Sequence, residues 1–368
     1  MMPGRVMSLL LLMSVVAAFV GCSAAPTHLA YLTVPNLNSV AAYRVRNDSA
    51  AFTALVGSPF PAGLSPSSIY VPPSNRFVYV ANQESNDISL FTIDSNIGSL
   101  SEIFPRTPTA ITPVAITMNS AGTFLFTVNQ ASSNISVYSV NAGTGALKQV
   151  AGSPFATFPN PTGLVLTPSG KFLYVVNPNQ SSIFGYAVSS GGELTQVAGY
   201  QFAVGTGVFG MAVDPGGKFL YVTNPTASTV SVLLINASTG ALSNGPESPF
   251  ISGTTPLGIA VHPSGQYLYV ANQGGNSVSA FSVAPSGVLT QITGSPFTGT
   301  TTPILLLVDP NGNFLYAVSQ SSKLVSVFSI TLNSNTPNAL TTQLGALTTS
   351  LQSADTGASA SSIFVTTR

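Results

Sequence analysis

Charged residues are scarce in this chain of 368 residues, which contains ten Lys and Arg and ten Asp and Glu, or 5% of the sequence. So few cations form no basic stripe, which argues against a nucleic-acid partner. The acidic residues form no run that would indicate a disordered tail. The surface must therefore consist largely of Ser, Thr, Asn, Gln and Gly, and we expect weak long-range steering of charged ligands.

The chain has one cysteine, Cys22, and no tryptophan. With no disulfide, the fold must depend on packing and strand pairing. Without tryptophan, an aromatic platform for a sugar would have to come from Tyr or Phe. The sequence contains no HxH or HExxH motif, cysteine pair or carboxylate cluster, and we therefore predict no metal site and no cofactor.

Motifs for nucleophilic catalysis and for phosphate binding are also missing. The sequence has no GxSxG elbow, and its Gly-rich segments are predicted turns because no helix follows them. Of the two histidines, His28 is predicted to lie in a linker. His262 is predicted to begin a tight turn, because its column in the repeat described below also holds Asn119, Thr167, Asp214 and Asp309.

The first 22 residues have the architecture of a signal peptide. Arg5 is followed by a nearly all-apolar run over 6–19, which is short for a spanning helix. The sequence Phe19-Val20-Gly21-Cys22 resembles a bacterial lipobox, with Phe19 in place of the usual Leu. We predict a lipoprotein signal over 1–22 with acylation at Cys22, a linker over 23–28, and attachment outside the cytoplasm at the bacterial cell envelope. An ordinary secretory signal or a short membrane anchor are the alternatives.

One sequence pattern recurs every 47 or 48 residues along the chain. Each copy contains a segment similar to Phe-Leu-Tyr-Val-Ala-Asn, a polar turn and a second apolar segment. One column of the repeat contains Tyr43, Phe91, Tyr138, Tyr186, Leu233, Phe281 and Phe328. Seven copies of a four-strand pattern predict an all-β fold over 29–368, a seven-bladed β-propeller with four antiparallel strands per blade.

Residues 256–297 illustrate the predicted blade. Apolar strands at 257–261 and 267–271 flank the turn 262–265, in which Pro presets φ and Gly allows a positive φ. A third strand covers 277–283 and an outer strand covers 289–292, before a Ser-Pro-Phe segment that recurs in four copies. The inner strands share a column in which small residues predominate, which we attribute to crowding around the axis: Ser68, Ala115, Gly163, Gly210, Gly258 and Leu305.

The two ends of the chain complement each other. The N-terminal copy begins at 30–34 with a second strand that has no inner strand before it. Near the C-terminus, 361–365 closely matches 67–71, the inner strand of the second copy. We therefore predict that the C-terminal strand completes the first blade, which closes the ring and removes its open edges.

Charged residues that break the repeat are the candidates for function, because residues common to all blades serve the blade. The turns between second and third strands share one face of a propeller, here called the top face, with the connections between blades. The charged side chains predicted there are Glu84, Asp87, Arg106, Glu247 and Lys323. For each, a solvated surface charge is the alternative. The spacing of Phe328 and Ile363, 35 residues against 25 for Phe281 and Leu306, also predicts a flexible loop rich in Gly, Ala, Ser and Thr.

The segment 168–177, Pro-Ser-Gly-Lys-Phe-Leu-Tyr-Val-Val-Asn, recurs in related form at 215–224 and 263–272. It resembles the YVTN-type repeat of the lactonase family, over essentially all of 29–368. The resemblance implies a propeller similar to 6-phosphogluconolactonase and to the enzyme that cyclises carboxymuconate. Active members generally carry His, Arg and acidic residues on the inner strands and top loops. Inner strands such as 162–166 and 209–213 have none, so no catalytic residue can be carried over.

The sequence leaves two main functions open. The first is a lipid-anchored module that binds a small molecule or a protein on the top face, as a monomer. The alternative is a lactone hydrolase resembling 6-phosphogluconolactonase. Hydrolysis needs a base or metal to activate water and a donor for the oxyanion, and a phosphorylated substrate favours clustered Arg or Lys. A subunit that docks onto envelope machinery would instead show a broad apolar patch.

Overall fold

The computed structural model describes residues 27–319, 322–330, 340–342 and 360–366. These residues form 32 β-strands in seven antiparallel sheets and two short 3-10 helices, Pro35–Leu37 and Pro178–Gln180. Each sheet is one blade of four strands side by side, and in four blades a short fifth strand pairs beside them. The prediction of an all-β, seven-bladed propeller is therefore confirmed. The predicted signal peptide and most of the predicted flexible loop lie outside the described residues.

The strands of the first four blades follow the repeat. The first blade contains β1 (Thr27–Val34), β2 (Ser39–Arg46), β3 (Phe52–Ala54) and β4 (Phe60–Pro61). The second contains β5 (Pro66–Tyr70), β6 (Phe77–Asn82), β7 (Asp87–Ile93) and β8 (Leu100–Pro108). The third contains β9 (Pro113–Met118), β10 (Phe124–Asn129), β11 (Asn134–Val140), β12 (Leu147–Gln149) and β13 (Phe155–Ala156). The fourth contains β14 (Gly163–Leu166), β15 (Phe172–Asn177), β16 (Ser182–Val188) and β17 (Leu194–Ala203).

The remaining strands form three further blades and return to the first. The fifth blade contains β18 (Met211–Val213), β19 (Phe219–Asn224), β20 (Thr229–Ile235), β21 (Leu242–Asn244) and β22 (Phe250–Ile251). The sixth contains β23 (Pro256–Val261), β24 (Tyr267–Asn272), β25 (Ser277–Val283), β26 (Leu289–Gln291) and β27 (Phe297–Thr298). The seventh contains β28 (Pro303–Val308), β29 (Phe314–Ser319), β30 (Leu324–Ile330) and β31 (Leu340–Thr342). The last strand, β32 (Ser362–Val365), belongs to the first blade.

The second strand of each blade is the centre of the packing. All six residues of β6, β15 and β19 are buried. Both faces of such a strand are covered because the blade packs against a neighbour on each side, which explains the nearly continuous apolar sequence. The core accordingly consists of clusters that each join strands of adjacent blades.

The inner strands form a closed ring around the axis, in which each one contacts the inner strand of the next blade. The strands approach one another so closely that small residues are needed at the contacts. A Cβ added at Gly258 would lie 2.7 Å from the Cα of Leu305 and 2.8 Å from the carbonyl oxygen of Ile304. The attribution of this column to packing is therefore confirmed at Gly258.

The Ser-Pro-Phe segments mark the places where the outer strand is interrupted. At each one the serine hydroxyl accepts a hydrogen bond from a backbone N–H of the third strand, at 2.9 Å in all four blades. The hydroxyl thus replaces the carbonyl that an uninterrupted outer strand would supply, and the N–H group stays paired. The four serines are Ser58, Ser153, Ser248 and Ser295.

The C-terminal strand completes the first blade, as the sequence predicts. In β32, Ile363 pairs with Leu32 of β1 in an antiparallel ladder that runs from Ala30 to Thr33. Ser361, just before β32, is hydrogen-bonded through its hydroxyl to the hydroxyl of Thr33 at 2.9 Å and to the carbonyl oxygen of Pro66 at 3.1 Å. The end of the chain therefore joins the first blade to the second.

The N-terminal boundary of the propeller differs from the prediction. β1 begins at Thr27, which pairs with Arg46, so the predicted linker over 23–28 extends two residues too far. His28 is buried in this strand, and its Nε2 lies 3.0 Å from Nδ2 of Asn311 in the seventh blade. The prediction that His28 lies in a linker is wrong, because pairing with β2 and contact with the seventh blade extend the strand toward the N-terminus.

Buried tyrosines connect adjacent blades through hydrogen bonds. The hydroxyl of Tyr79 donates to the carbonyl oxygen of Gly145 at 2.7 Å, and Tyr174 makes the equivalent bond to Gly240 at 2.8 Å. Burial raises the pKa of both tyrosines, so the hydroxyls remain protonated donors. The third blade has Phe126 in the same column of the repeat, which shows that the site accepts a ring without a hydroxyl.

We expect Tyr79→Phe to lower the free energy of unfolding by about 1–2 kcal/mol, because it leaves the buried carbonyl of Gly145 without its partner. Denaturant titration measures this loss. Tyr221→Phe is the matched control, because the Tyr221 hydroxyl has no hydrogen-bond partner among the described residues. The free energy of unfolding of Tyr221→Phe should hardly differ from that of the parent. Equal losses in the two variants would contradict a contribution from the bond to Gly145.

Candidate functional site

The top face forms as the sequence predicts, because the turns between second and third strands meet the connections between blades. Asn86, in the turn between β6 and β7, accepts from the N–H of Thr109 through its carbonyl oxygen at 2.9 Å. Its side-chain oxygen accepts from the N–H of Thr112 at 2.7 Å. The opposite, bottom face carries the turns between first and second strands and between third and fourth strands.

The mouth of the central channel on the top face has no charged side chain among the residues at the upper ends of the inner strands. One repeat column supplies these positions: Ser67, Val114, Thr162, Phe209, Leu257, Ile304 and Ser361. Phe209 is 44% exposed and is the largest of them. The described inner strands as a whole contain no Asp, Glu, Lys, Arg or His. The arrangement can bury a neutral or apolar group but offers no acid or base from these strands.

Two of the predicted charged residues lie near each other in the second blade. Asp87 begins β7, and its carboxylate accepts from Nδ2 of Asn82 at 2.6 Å and from the hydroxyl of Ser85 at 3.1 Å. Arg106 lies in the outer strand β8 and not in a loop. Its pKa is raised mainly by the hydrogen bond to Glu102 and also by the negative charge of Asp87. Glu84 lies in the turn before Asp87 and is exposed.

Arg106 has a carboxylate partner that the sequence did not indicate. The guanidinium binds Glu102 through two hydrogen bonds, of 2.7 Å from Nε and 3.1 Å from a terminal nitrogen. The guanidinium also lies over the ring of Phe104, 5.3 Å from its centroid. Bidentate pairing occupies both fork positions of the side chain. The only sequence signal was the i, i+4 spacing of the two opposite charges.

The other two predicted residues lie far along the ring from this group. Glu247 is in the turn between β21 and β22 at the outer edge of the fifth blade, and Lys323 is in the turn before β30 of the seventh. Both are exposed and have positive φ angles, 59° and 58°. Among the described residues, no hydrogen bond or ion pair links either one to Asp87 or Arg106. Of the five predicted charged residues, the structure therefore brings together only those of the second blade.

Two cavities lie on the bottom face, each between adjacent blades. The larger has a volume of about 420 Å³ and is lined by Asp214, Phe219 and Tyr267, among others. The smaller, about 110 Å³, occupies the equivalent position between the second and third blades, beside Phe77. Sequence reasoning missed both. In the two copies concerned, a basic residue precedes the phenylalanine: Lys218 beside the larger cavity and Arg76 beside the smaller.

The polar groups around these cavities serve the blades. Asp214 accepts three backbone N–H bonds, from Gly216 at 3.0 Å and from Lys218 and Phe219 at 2.6 Å. Lys218 donates from Nζ to the carbonyl oxygen of Pro285 in the next blade at 2.7 Å. Asp214 and Lys218 are therefore both occupied by hydrogen bonds to the backbone.

His262 begins a tight turn on the bottom face, as predicted. The N–H of Gly265 bonds to its carbonyl oxygen at 2.8 Å. The ring is buried, with Nδ1 2.8 Å from the hydroxyl of Ser264 and Nε2 3.0 Å from the carbonyl oxygen of Gly312 in the seventh blade. Both ring nitrogens are therefore used to hold the turn and the next blade.

Within the described ranges, no group of three or more His, Cys, Asp or Glu residues is arranged to hold a metal ion. In the same part of the chain, no helix has the length and apolar character needed to cross a membrane. The most exposed large apolar side chains are distributed over the first, second and fifth blades and the connections beside them: Val56, Leu64, Ile97, Phe104, Ile111, Phe209 and Ile251.

The sequence matches the family described as Lactonase, 7-bladed beta-propeller, over residues 25–165 and 156–348. The chain therefore belongs to the lactonase family of seven-bladed β-propellers, as its repeat motifs indicated. No curated protein matches the sequence.

Solved structures share the fold at low sequence identity. A periplasmic gluconolactonase from Pseudomonas aeruginosa is 18% identical, with a TM-score of 0.72 over 92% of this chain and 99% of that one. A 6-phosphogluconolactonase candidate from Bacteroides fragilis is 20% identical, with a TM-score of 0.73 over 92% and 98%. Another from Bacteroides uniformis is 18% identical, with a TM-score of 0.76 over 92% and 99%. At these identities the similarity establishes the fold alone.

Proposed function

We propose that this member of the lactonase family is a binding module, held at the bacterial cell envelope by a lipid on Cys22, with its ligand site at the channel mouth on the top face. The proposal rests on the uncharged side chains at that mouth. Phe209, Leu257 and Ile304 are partly exposed there, and the inner strands below them contain no Asp, Glu, Lys, Arg or His in the described part of the chain.

A neutral mouth suits binding better than catalysis. Reaction at neutral pH requires an acid–base group whose pKa is tuned by its surroundings within a pocket. Apolar side chains with a few hydroxyls instead favour burial of an uncharged part of a small molecule or of a peptide side chain. The Thr162 hydroxyl is buried and has no hydrogen-bond partner among the described residues. The hydroxyls of Ser67 and Ser361 donate to the carbonyl oxygens of Pro113 at 2.8 Å and of Pro66 at 3.1 Å.

The anchor can be tested through Cys22, which lies outside the described residues. We expect Cys22→Ser to move the protein from the membrane fraction to the soluble fraction or to leave it unprocessed, because each buried CH₂ of an acyl chain contributes roughly 0.8 kcal/mol to membrane affinity. Fractionation and immunoblotting measure the distribution. The matched control Ser23→Ala should stay with the membrane. If Cys22→Ser associates with membranes as well as the parent does, Cys22 is not acylated.

A second candidate function is lactone hydrolysis, and the family match favours it. Two of the structural neighbours described above are candidates for 6-phosphogluconolactonase, and one is described as a periplasmic gluconolactonase. For this chain, the charged groups to consider in the second blade are Asp87, which begins β7, and the Arg106–Glu102 pair of β8. A hydrolase would use such a carboxylate to activate water and a cation or backbone amides to stabilise the oxyanion.

The two candidates differ in one measurable property. A binding module leaves 6-phosphogluconolactone and simple sugar lactones to open at their spontaneous rate. A hydrolase accelerates the opening in proportion to enzyme concentration. A rate that rises with protein concentration would reject the first proposal in favour of the second.

A further inference from the structure

The chain enters the propeller on the bottom face. Thr27 pairs with Arg46 at the end of β2 that leads into the turn at 47–50, between third and fourth strands of the first blade. The next residue, His28, contacts Asn311, which lies in the first-to-second-strand turn of the seventh blade. β1 then runs to the top face, where it ends at Val34. Whatever precedes Thr27 is therefore joined to the bottom face.

The distance from Cys22 to this face is short. Four residues lie between Cys22 and Thr27 in the sequence, and the five extended steps from Cys22 to Thr27 span at most about 18 Å. The second strands have six residues, which corresponds to roughly 20 Å between the faces. A lipid on Cys22 can therefore hold the bottom face close to a bilayer while the top face stays farther away.

Charge is distributed unequally between the two faces. Of the basic residues in the described ranges, six lie in or beside the turns of the bottom face, and all are exposed: Arg44, Arg46, Arg76, Lys148, Lys171 and Lys218. Three exposed carboxylates accompany them, Asp48, Asp94 and Glu193, while Asp214 and Asp309 are buried. The top-face turns carry Glu84, Asp87 and Lys323, and Arg106 lies in β8 of the second blade. Glu102 lies opposite Phe91 in the lower part of β7, and Glu247 lies at the outer edge of the fifth blade.

We propose that the bottom face is the surface that lies against the lipid bilayer, where its exposed Lys and Arg side chains bind anionic headgroups, and that the top face points away from the membrane. This inference rests on the proposed lipid anchor at Cys22. Basic side chains next to an anionic surface add to the affinity of a lipid anchor, and they do so only within about a Debye length of the surface. The top face offers no such excess of basic residues.

Two matched labelling sites test the orientation in the full acylated chain. Ser190 lies in the bottom-face turn of the fourth blade and Thr206 in the top-face connection after it, and both are exposed. Single Ser190→Cys and Thr206→Cys variants would each carry an environment-sensitive fluorophore on the new cysteine. The vesicles would contain phosphatidylcholine, phosphatidylglycerol and a lipid with a spin label on its headgroup, which quenches the fluorophore. We expect severalfold stronger quenching at position 190 than at 206. Equal quenching, or stronger quenching at 206, would overturn the orientation.

Charge reversal tests the role of the anionic lipid. We expect the double variant Lys148→Glu, Lys171→Glu to show less quenching at position 190 in vesicles that contain phosphatidylglycerol. In vesicles of phosphatidylcholine alone, its quenching should be close to that of the parent. The top-face control Lys323→Glu should have no effect in either. Unchanged quenching in the double variant would overturn headgroup binding. Failure of the parent chain to bind vesicles at all would instead reject the anchor, as would membrane association of Cys22→Ser equal to that of the parent.

Discussion

Deletion of residues 360–368 should abolish cooperative unfolding and cause aggregation. The deletion removes β32, whose Ile363 and Val365 are buried in the core shared by the first and seventh blades. Loss of each large buried aliphatic side chain costs about 2–5 kcal/mol, and a domain has only about 5–15 kcal/mol of stability. The deletion also exposes the edge of β1, an unpaired strand that can associate with other chains. Circular dichroism during heating and size-exclusion chromatography measure both effects.

Two further variants make this test specific. Deletion of residues 367–368 leaves β32 in place and should behave as the parent does. Ile363→Ala in the full chain should lower the unfolding midpoint while the protein stays monomeric, because the ladder with β1 remains. Thermal unfolding that is unchanged after deletion of 360–368 would contradict closure of the ring by the C-terminal strand.

The fold could be predicted from the sequence because its determinants are local and repeated. An apolar segment such as that of β6, followed by a polar turn, specifies a buried strand, and seven copies specify the ring. Closure was also visible, because Ile363 and Ile69 occupy the same column of the repeat. The N-terminal boundary was less clear, since Thr27 and His28 are polar and only contacts with distant residues place them in β1.

The candidate site was harder to predict because its charges depend on long-range geometry. The pairing of β7 with β8 shifts register between Ile88 and Leu90, and this irregularity lies in the outer edge that carries Glu102 and Arg106. No repeat column predicts a pair formed in such an irregular edge. The turns of Glu247 and Lys323 were visible in the sequence, but their separation from the second blade follows only from the assembled ring.

The cavities of the bottom face were missed for a different reason. Arg76 and Lys218 appear in the sequence as isolated surface charges. In the structure each lies over the phenylalanine that follows it and bonds to a turn of the next blade. The spaces beside them arise between blades, and a pattern within one repeat does not reveal contacts between two.

A hydrolysis assay separates the two proposed functions most sharply, because a binding module requires no enzymatic opening of a lactone. The two carboxylates and the guanidinium of the second blade are already committed to Asn82, Ser85 and one another. If any hydrolysis is detected, the variants Asp87→Asn and Arg106→Gln show whether it depends on the second blade. Asp48→Asn is the matched control, because it breaks the exposed Arg46–Asp48 pair of the first blade, near the opposite face.

The most direct measurement is the rate of ring opening of 6-phosphogluconolactone and gluconolactone at neutral pH, followed with increasing amounts of the purified full chain. The account predicts the spontaneous rate at every protein concentration, for the parent and for all three variants. A rate that increases with protein concentration would contradict it. If that rate is lost in Asp87→Asn or Arg106→Gln and retained in Asp48→Asn, the top of the second blade is a hydrolytic site.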